Sequence, residues 1–371
     1  MAIAEAGTPA EHGHGHDEHG HHAPFIAHHF DDAEQQFDSG KLGIWVFLVT
    51  EVLFFSGLFV AYVLWRSHHP ELFEIAHVHL DKVLGGINTV VLLFSSLTMA
   101  WAVRCAQLSN NRGAAVLILI TMMCGAMFLG VKVIEYSHKW DQGILVRSMF
   151  HHTLAHPEPQ GPLAKSLGVS DWVITLNIIP VILTIGFAVA AGALWGMKKT
   201  LWATFFVGLV VMMGGFFGGV VGGHVYMLWK EGSHSGGHAA VVAPDLILHA
   251  ADRNNDLPAG TNAEQGVSDS AHTDDTHGHA ADSHDAHGAH GAHEEPMPPA
   301  VGMFFSIYYC MTGLHAIHII GGLAFLSWIF YRSLALHWRS DYFGPVDFVG
   351  LYWHLVDLIW IFLFPMLYLI D

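Results

Sequence analysis

The sequence predicts an all-α fold, a polytopic membrane bundle of seven transmembrane helices. Apolar residues make up 52% of the 371 and charged residues 13%, a balance that suits lipid better than a soluble core. Apolar stretches at 42–65, 83–103, 114–136, 172–197, 201–229, 301–330 and 346–370 each reach the roughly 20 residues that a helix needs to cross a bilayer. Backbone groups in hydrocarbon must be satisfied within the segment, so these stretches read as helices. A transmembrane barrel would instead show short alternating segments and frequent turn signals, which are absent.

The elements follow in order. Residues 1–38 carry eight histidines among glycines and acids with no apolar period, so a disordered tail is expected. No basic region followed by an apolar stretch marks a signal peptide at the start. Residues 39–136 hold the first three spans, and 137–230 hold the next two. Residues 231–299 form a second His-rich loop, expected to be disordered, and its stretch 272–293 contains seven histidines. Pro296, Pro298 and Pro299 close that loop just ahead of the sixth helix. Residues 300–371 hold the last two spans. The run Gly214–Gly223 (GGFFGGVVGG) in the fifth span reads as a close helix-packing face.

Short loops carrying Arg104 and Arg112, Lys198 and Lys199, and Arg332 and Arg339 alternate with longer loops carrying Glu71, Glu74, Asp81, Asp141, Glu158 and Asp171. Basic density in short loops places them inside, giving a cytoplasmic N-terminus and an external C-terminus. The net charge of −17 arises largely outside the spans, and no nucleic-acid partner is expected. Cys105, Cys124 and Cys310 are isolated, so neither a disulfide framework nor a cysteine metal site is suggested.

Ionisable residues inside the spans are the candidate functional positions: Glu51, Lys132, Glu135, His315, His318, His354 and Asp357. Each costs roughly 2.5–3.5 kcal/mol on insertion scales, and such residues usually face the bundle interior. Glu51 sits mid-span among Phe47, Phe54, Phe55 and Leu58. Lys132 and Glu135, three apart, are spaced to pair, with snorkelling open to Lys132. His315 and His318 share a helical face, and Glu51, His354 and Asp357 are the side chains that would complete a metal site with them. Hydrogen bonding between helices is the favoured reading. His354 and Asp357 share one face of the last helix, with Trp353 and Trp360 on another stripe. The tract histidines His277, His279, His284, His287, His290 and His293 are weak candidates for copper, zinc or nickel.

Five segments in order carry a family resemblance. The last span, Tyr352-Trp353-His354-Leu355-Val356-Asp357-Leu358-Ile359-Trp360-Ile361-Phe362-Leu363, resembles the final helix of haem–copper oxidase (cytochrome c oxidase) subunit III, W-H-x-V-D-x-x-W-x-F-L. Lys41-Leu42-Gly43-Ile44-Trp45 through Glu51-Val52-Leu53-Phe54-Phe55-Ser56-Gly57 resembles the family's E-V-x-F-F helix. Ile87-Asn88-Thr89, Leu92-Leu93, Ser95-Ser96 and Trp101-Ala102 resemble its N-T-x-x-L-L-x-S-S helix. Phe128 to Glu135-Tyr136 matches a helix ending in E-Y, and Thr312-Gly313-Leu314-His315 with His318 matches T-G-x-H-x-x-H.

The resemblance covers about 42–136 and 301–370. The two N-terminal helices of mitochondrial members are missing, two helices are inserted after the E-Y helix, and Lys132 stands where those members usually carry Gln. The five family-core helices therefore come with an inserted pair that the resemblance gives no function.

The resemblance implies an accessory, non-catalytic subunit of a proton-pumping terminal oxidase that passes electrons from cytochrome c to oxygen. It implies subunit I as direct partner, subunit II in the same complex, and bound phospholipid. Haem and copper are expected in partner subunits and no cofactor in this chain. The location implied is a bacterial-type plasma membrane. Glu51 matches the family's carbodiimide-sensitive carboxyl, which supports proton delivery or anchors a lipid. A subunit of a quinol oxidase or of a nitric oxide reductase system is the nearer alternative. A transition-metal transporter, suggested by the His tracts, is the distant one; it would show related halves and interrupted helices, and no convincing repeat appears.

Overall fold

The computed structural model describes residues 33–77, 79–146, 169–239, 301–339 and 342–370. Both His-rich tracts, and with them His277 to His293, lie outside these residues. The described chain folds into helices α1 (Ala33–His68), α2 (Pro70–His77), α3 (Lys82–Gln107), α4 (Asn111–Asp141), α5 (Asp171–Gly196), α6 (Thr200–Ala239), α7 (Gly302–Leu334) and α8 (Gly344–Tyr368). All but α2 are long and apolar enough to cross a membrane, and the protein is a multi-pass membrane protein.

Helix starts follow capping chemistry. Asp81 accepts from the Val83 and Leu84 amides ahead of α3, Asn110 from Gly113 ahead of α4, and Ser170 from Val173 ahead of α5. Helix stops share one device. After α3, α5 and α7 a left-handed residue follows the cap, namely Ser109, Lys198 and Leu336, with φ of 57°, 58° and 56°. In each case the next amide reaches back five residues: Asn110 to the Cys105 carbonyl, Lys199 to Leu194, and His337 to Arg332. These are Schellman turns, usually built on glycine. Gly143, at φ 70°, closes α4 the same way, with Ile144 bonded to Lys139. The three non-glycine turns are the three basic loops, and all fall at one end of the bundle.

α4 stands at the centre, packed on α3, α6 and α7, while α8 packs on α3, α7 and α1. The α4–α6 contact is the closest helix pairing. A Cβ on Gly215 or Gly219 would collide with the carbonyl oxygens of Met123 and Met127, whereas Gly214, Gly218 and Gly222 face open space. Every fourth glycine of the 214–223 run therefore meets α4, as the small-residue run suggested. α5 rests mainly on α6, and Ala191 is its one buried residue. The inserted pair is thus joined to the family-like core through α6.

Three boundaries differ from the sequence reading. α1 begins at Ala33, inside the expected tail, because Phe37 packs against Phe343 and Phe348, both at 5.6 Å between ring centroids. α6 runs to Ala239, inside the expected loop, since no proline interrupts it and the Ser233 hydroxyl bonds the Lys230 carbonyl. The polar stretch after α1 forms the short helix α2, started by Pro70. Its Phe73 is wholly buried between Tyr62 and Phe304.

Candidate functional site: three polar centres within the bundle

The intramembrane ionisable residues resolve into three centres. The first joins α1 to α7. Glu51 Oε2 lies 2.9 Å from His318 Nε2, with both side chains 17–18% exposed. The other ring nitrogen, Nδ1, sits 2.7 Å from the Leu314 carbonyl. A carbonyl only accepts, so Nδ1 carries the hydrogen, and a single shared proton bridges Nε2 and the Glu51 carboxyl. Phe55 packs edge-on to the imidazole at 5.1 Å, with Phe54 at 6.3 Å, and the Tyr352 hydroxyl donates to the His318 carbonyl. The hydrogen-bonded pair lies in an aromatic cage near the surface of the bundle.

The second centre joins α3 to α8. His354 Nδ1 lies 2.6 Å from the Ser96 hydroxyl. The Ser95 hydroxyl donates to Asp357 Oδ2 at 3.2 Å and receives the Trp353 indole N–H at 3.1 Å. Asp357 is therefore on the same face as Trp353 and Trp360, not on a separate face with His354. Positions 353, 357 and 360 follow the four-then-three spacing of a buried helical stripe, and His354 turns to the half-buried edge of it.

The third centre is a wholly buried ion cluster. Glu135 receives four donors: Lys132 at 2.7 Å on Oε2, and Lys139 at 2.9 Å, Tyr308 at 2.7 Å and Tyr368 at 2.5 Å on Oε1. Lys132 also donates to the Tyr368 hydroxyl at 2.6 Å and stands 4.4 Å over the Trp360 ring. Lys132 does not snorkel; its ammonium turns inward to these partners. The cluster ties α4, α7 and α8 together at the end where α4 stops. With the carboxylate saturated by donors, its chemistry is that of a strut.

Lys139, Tyr308 and Tyr368 were absent from the sequence candidates. Lys139 stands four residues after Glu135, a spacing that announces an ion pair, whereas nothing local points to the two tyrosines. His315, fully buried, stacks on Trp360 at 5.3 Å and meets Phe128 edge-on at 5.5 Å, with neither ring nitrogen bonded within the protein. His318 goes to Glu51, His354 to Ser96 and Asp357 to Ser95, so the five side chains weighed as a metal site are dispersed. Among the described residues no three histidines, cysteines or acids converge as metal ligands.

The sequence model of the cytochrome c oxidase subunit III family matches residues 21–141 and 291–371, more than half of the chain. The inserted α5 and α6 fall in the gap. Curated proteins named cytochrome c oxidase subunit 3 from Bos mutus grunniens, Syncerus caffer and Pelea capreolus are each 35% identical over 75 residues. That is 20% of this chain and 29% of each relative's length. No solved structure matches the chain.

Proposed function

The chain belongs to the cytochrome c oxidase subunit III family, and from that premise we propose that it is the accessory, non-catalytic third subunit of a proton-pumping terminal haem–copper oxidase. In this reading the catalytic subunit packs directly against it, the second subunit shares the complex, and electrons pass from cytochrome c to oxygen within the partners. The subunit supports proton uptake, binds membrane lipid and stabilises the catalytic subunit. In this reading haem and copper belong to those partners.

The observation that carries the reading is the Glu51–His318 pair. A carboxyl and an imidazole sharing one proton, partly exposed within a membrane span, suit a group that takes up and releases protons beside a partner. The ion cluster at Glu135 and the serine-bound His354 and Asp357 fit the supporting role of holding the helices in place.

The test is purification of the full chain in mild detergent through an affinity tag, read by visible spectrum and mass spectrometry. Reduced-haem bands, copper and a co-purifying catalytic subunit are the expected result, with haem type and partners identifying the electron donor. A colourless chain without partners overturns the proposal.

A further inference from the structure

Three side chains deep in the bundle carry polar atoms without a hydrogen-bond partner among the described residues. Asn88 on α3 has neither its amide nitrogen nor its oxygen bonded, His315 on α7 neither ring nitrogen, and Asp357 on α8 leaves Oδ1 unbonded. All three residues are 0–2% exposed. Buried polar groups in folded proteins are nearly always hydrogen-bonded, because one left dry costs its full desolvation. Five such atoms on three packed helices point to a partner that is not protein.

Trp360 relates the three to one another. His315 stacks on its ring at 5.3 Å, and its indole N–H donates at 3.1 Å to Thr89, the residue next to Asn88. Asp357 stands one turn earlier on α8 and is bonded to Ser95, which shares the buried stripe of α3 with Asn88 two turns away. Neighbouring protein donors are already engaged. The Thr89 hydroxyl donates to the Gly85 carbonyl, the Trp360 N–H to Thr89, and the Trp353 N–H to Ser95.

The unbonded atoms state the chemistry of what meets them. The Asn88 amide nitrogen donates and its oxygen accepts, a neutral imidazole offers one of each, and a carboxylate oxygen accepts. The occupant must therefore both give and receive hydrogen bonds. Water does so, with two to four partners when buried. A metal cation would leave the Asn88 nitrogen unbonded, and an anion would leave the Asn88 and Asp357 oxygens so. Lys132 supplies a link onward: its ammonium has three hydrogens, donates to Glu135 and Tyr368, and stands 4.4 Å over the Trp360 ring.

We propose that ordered water, held by Asn88, His315 and Asp357 Oδ1, joins the Ser95–Asp357 centre to the ion cluster at Glu135 in one hydrogen-bonded seam. Trp360 stands in the middle of it. Along α8 the seam runs from His354 to Tyr368, about 21 Å at roughly 1.5 Å per residue. That is more than half of the ~30 Å hydrocarbon core. The proposal rests on the membrane-spanning fold and stands or falls independently of the oxidase reading.

The test is X-ray radiolysis of the full chain in lipid nanodiscs, with oxidised side chains mapped by mass spectrometry. Radiolysis turns water held inside a protein into hydroxyl radicals that attack the side chains beside it. Phe128 meets His315 edge-on at 5.5 Å and is fully buried. Phe304 is as deeply buried, between Phe73 and Phe305, and serves as the reference of the same residue type. Phe128 is expected to be oxidised several-fold more than Phe304. Asn88→Leu and His315→Phe, made singly and checked by circular dichroism, are each expected to bring Phe128 down to the Phe304 level. Equal oxidation of the two phenylalanines in the wild type overturns the proposal, and so does a Phe128 signal that survives in a folded variant. Melting gives an independent reading. Removing two dry nitrogens would relieve their desolvation, so His315→Phe melting above the wild type also overturns the proposal; an unchanged or lower melting temperature is expected.

Discussion

Lys230 Nζ lies 2.7 Å from Asp81 Oδ2, fastening the far end of α6 to the residue that caps α3. The Tyr226 hydroxyl donates to both carboxylate oxygens at 3.1 and 3.2 Å. Burial alone would push the Asp81 carboxyl up, but the Lys230 hydrogen bond, the Leu84 amide, the Lys230 charge and Tyr226 together hold it below the ordinary carboxylate range. A lowered folded-state value gives stabilisation that is complete above the unfolded value, about 3.9, and is lost as pH falls through the folded one. Asp81→Asn keeps the helix cap and removes the charge. With Lys230 44% exposed, its cost at neutral pH is expected to be about 1 kcal/mol or less. Thermal unfolding in one detergent should show a constant gap between wild type and variant from pH 7 to about 5, closing below about pH 4. A gap that widens in acid contradicts the assignment.

Glu135 balances two buried ammonium groups, Lys132 and Lys139. Replacing it by Gln leaves both without a countercharge, and losing one partner of a buried ion pair costs about 3–5 kcal/mol. Lys139→Met should be the mildest change, since it leaves one cation with one anion. Lys132→Met should fall between, because it also removes the Tyr368 hydrogen bond and the Trp360 contact. Thermal melting of the three variants is expected to rank them in that order, with Glu135→Gln accumulating least in membranes.

How far these centres are legible in sequence depends on the range of the contact. The Lys132–Glu135 pair is readable from spacing, and Lys139 by the same rule. Tyr308 and Tyr368 reach Glu135 only through the packing of α4 on α7 and of α7 on α8, which no local pattern encodes. Glu51 and His318 each stand out as intramembrane ionisable residues, yet their pairing depends on how α1 meets α7. Asp357 shows the ambiguity of spacing alone: a residue three from His354 and four from Trp353 fits either stripe, and Ser95 on α3 decides between them. Hydropathy locates the spans because lipid selects for it. It does not reach Phe37 or Phe73, where helix continues beyond the lipid-facing run by packing on protein.

The glycines of α6 divide into two sets with opposite expected responses. Gly219 has the Met127 carbonyl where a Cβ would stand, and Gly218 has open space. Gly219→Ala must push α6 from α4, an overpacking cost of about 1–3 kcal/mol, whereas Gly218→Ala should be neutral or slightly stabilising as helix propensity improves. Melting temperatures of the two variants test the contrast. Equal effects would show that α6 does not approach α4 through this face.

Glu51 and His318 share one proton, so removing either partner should produce the same functional defect, and removing both should add nothing. Glu51→Gln, His318→Gln and the double variant are all expected to assemble, because a polar pair in a bundle contributes only about 0.6 kcal/mol on average and this one is partly exposed. In the purified complex each is expected to lose oxidase activity faster during turnover, or to fall off at higher pH, with the double variant matching the singles. Additive defects would mean that the two side chains act separately. Unchanged kinetics with normal assembly would remove the pair from proton uptake, and failure to assemble would make it a structural joint between α1 and α7.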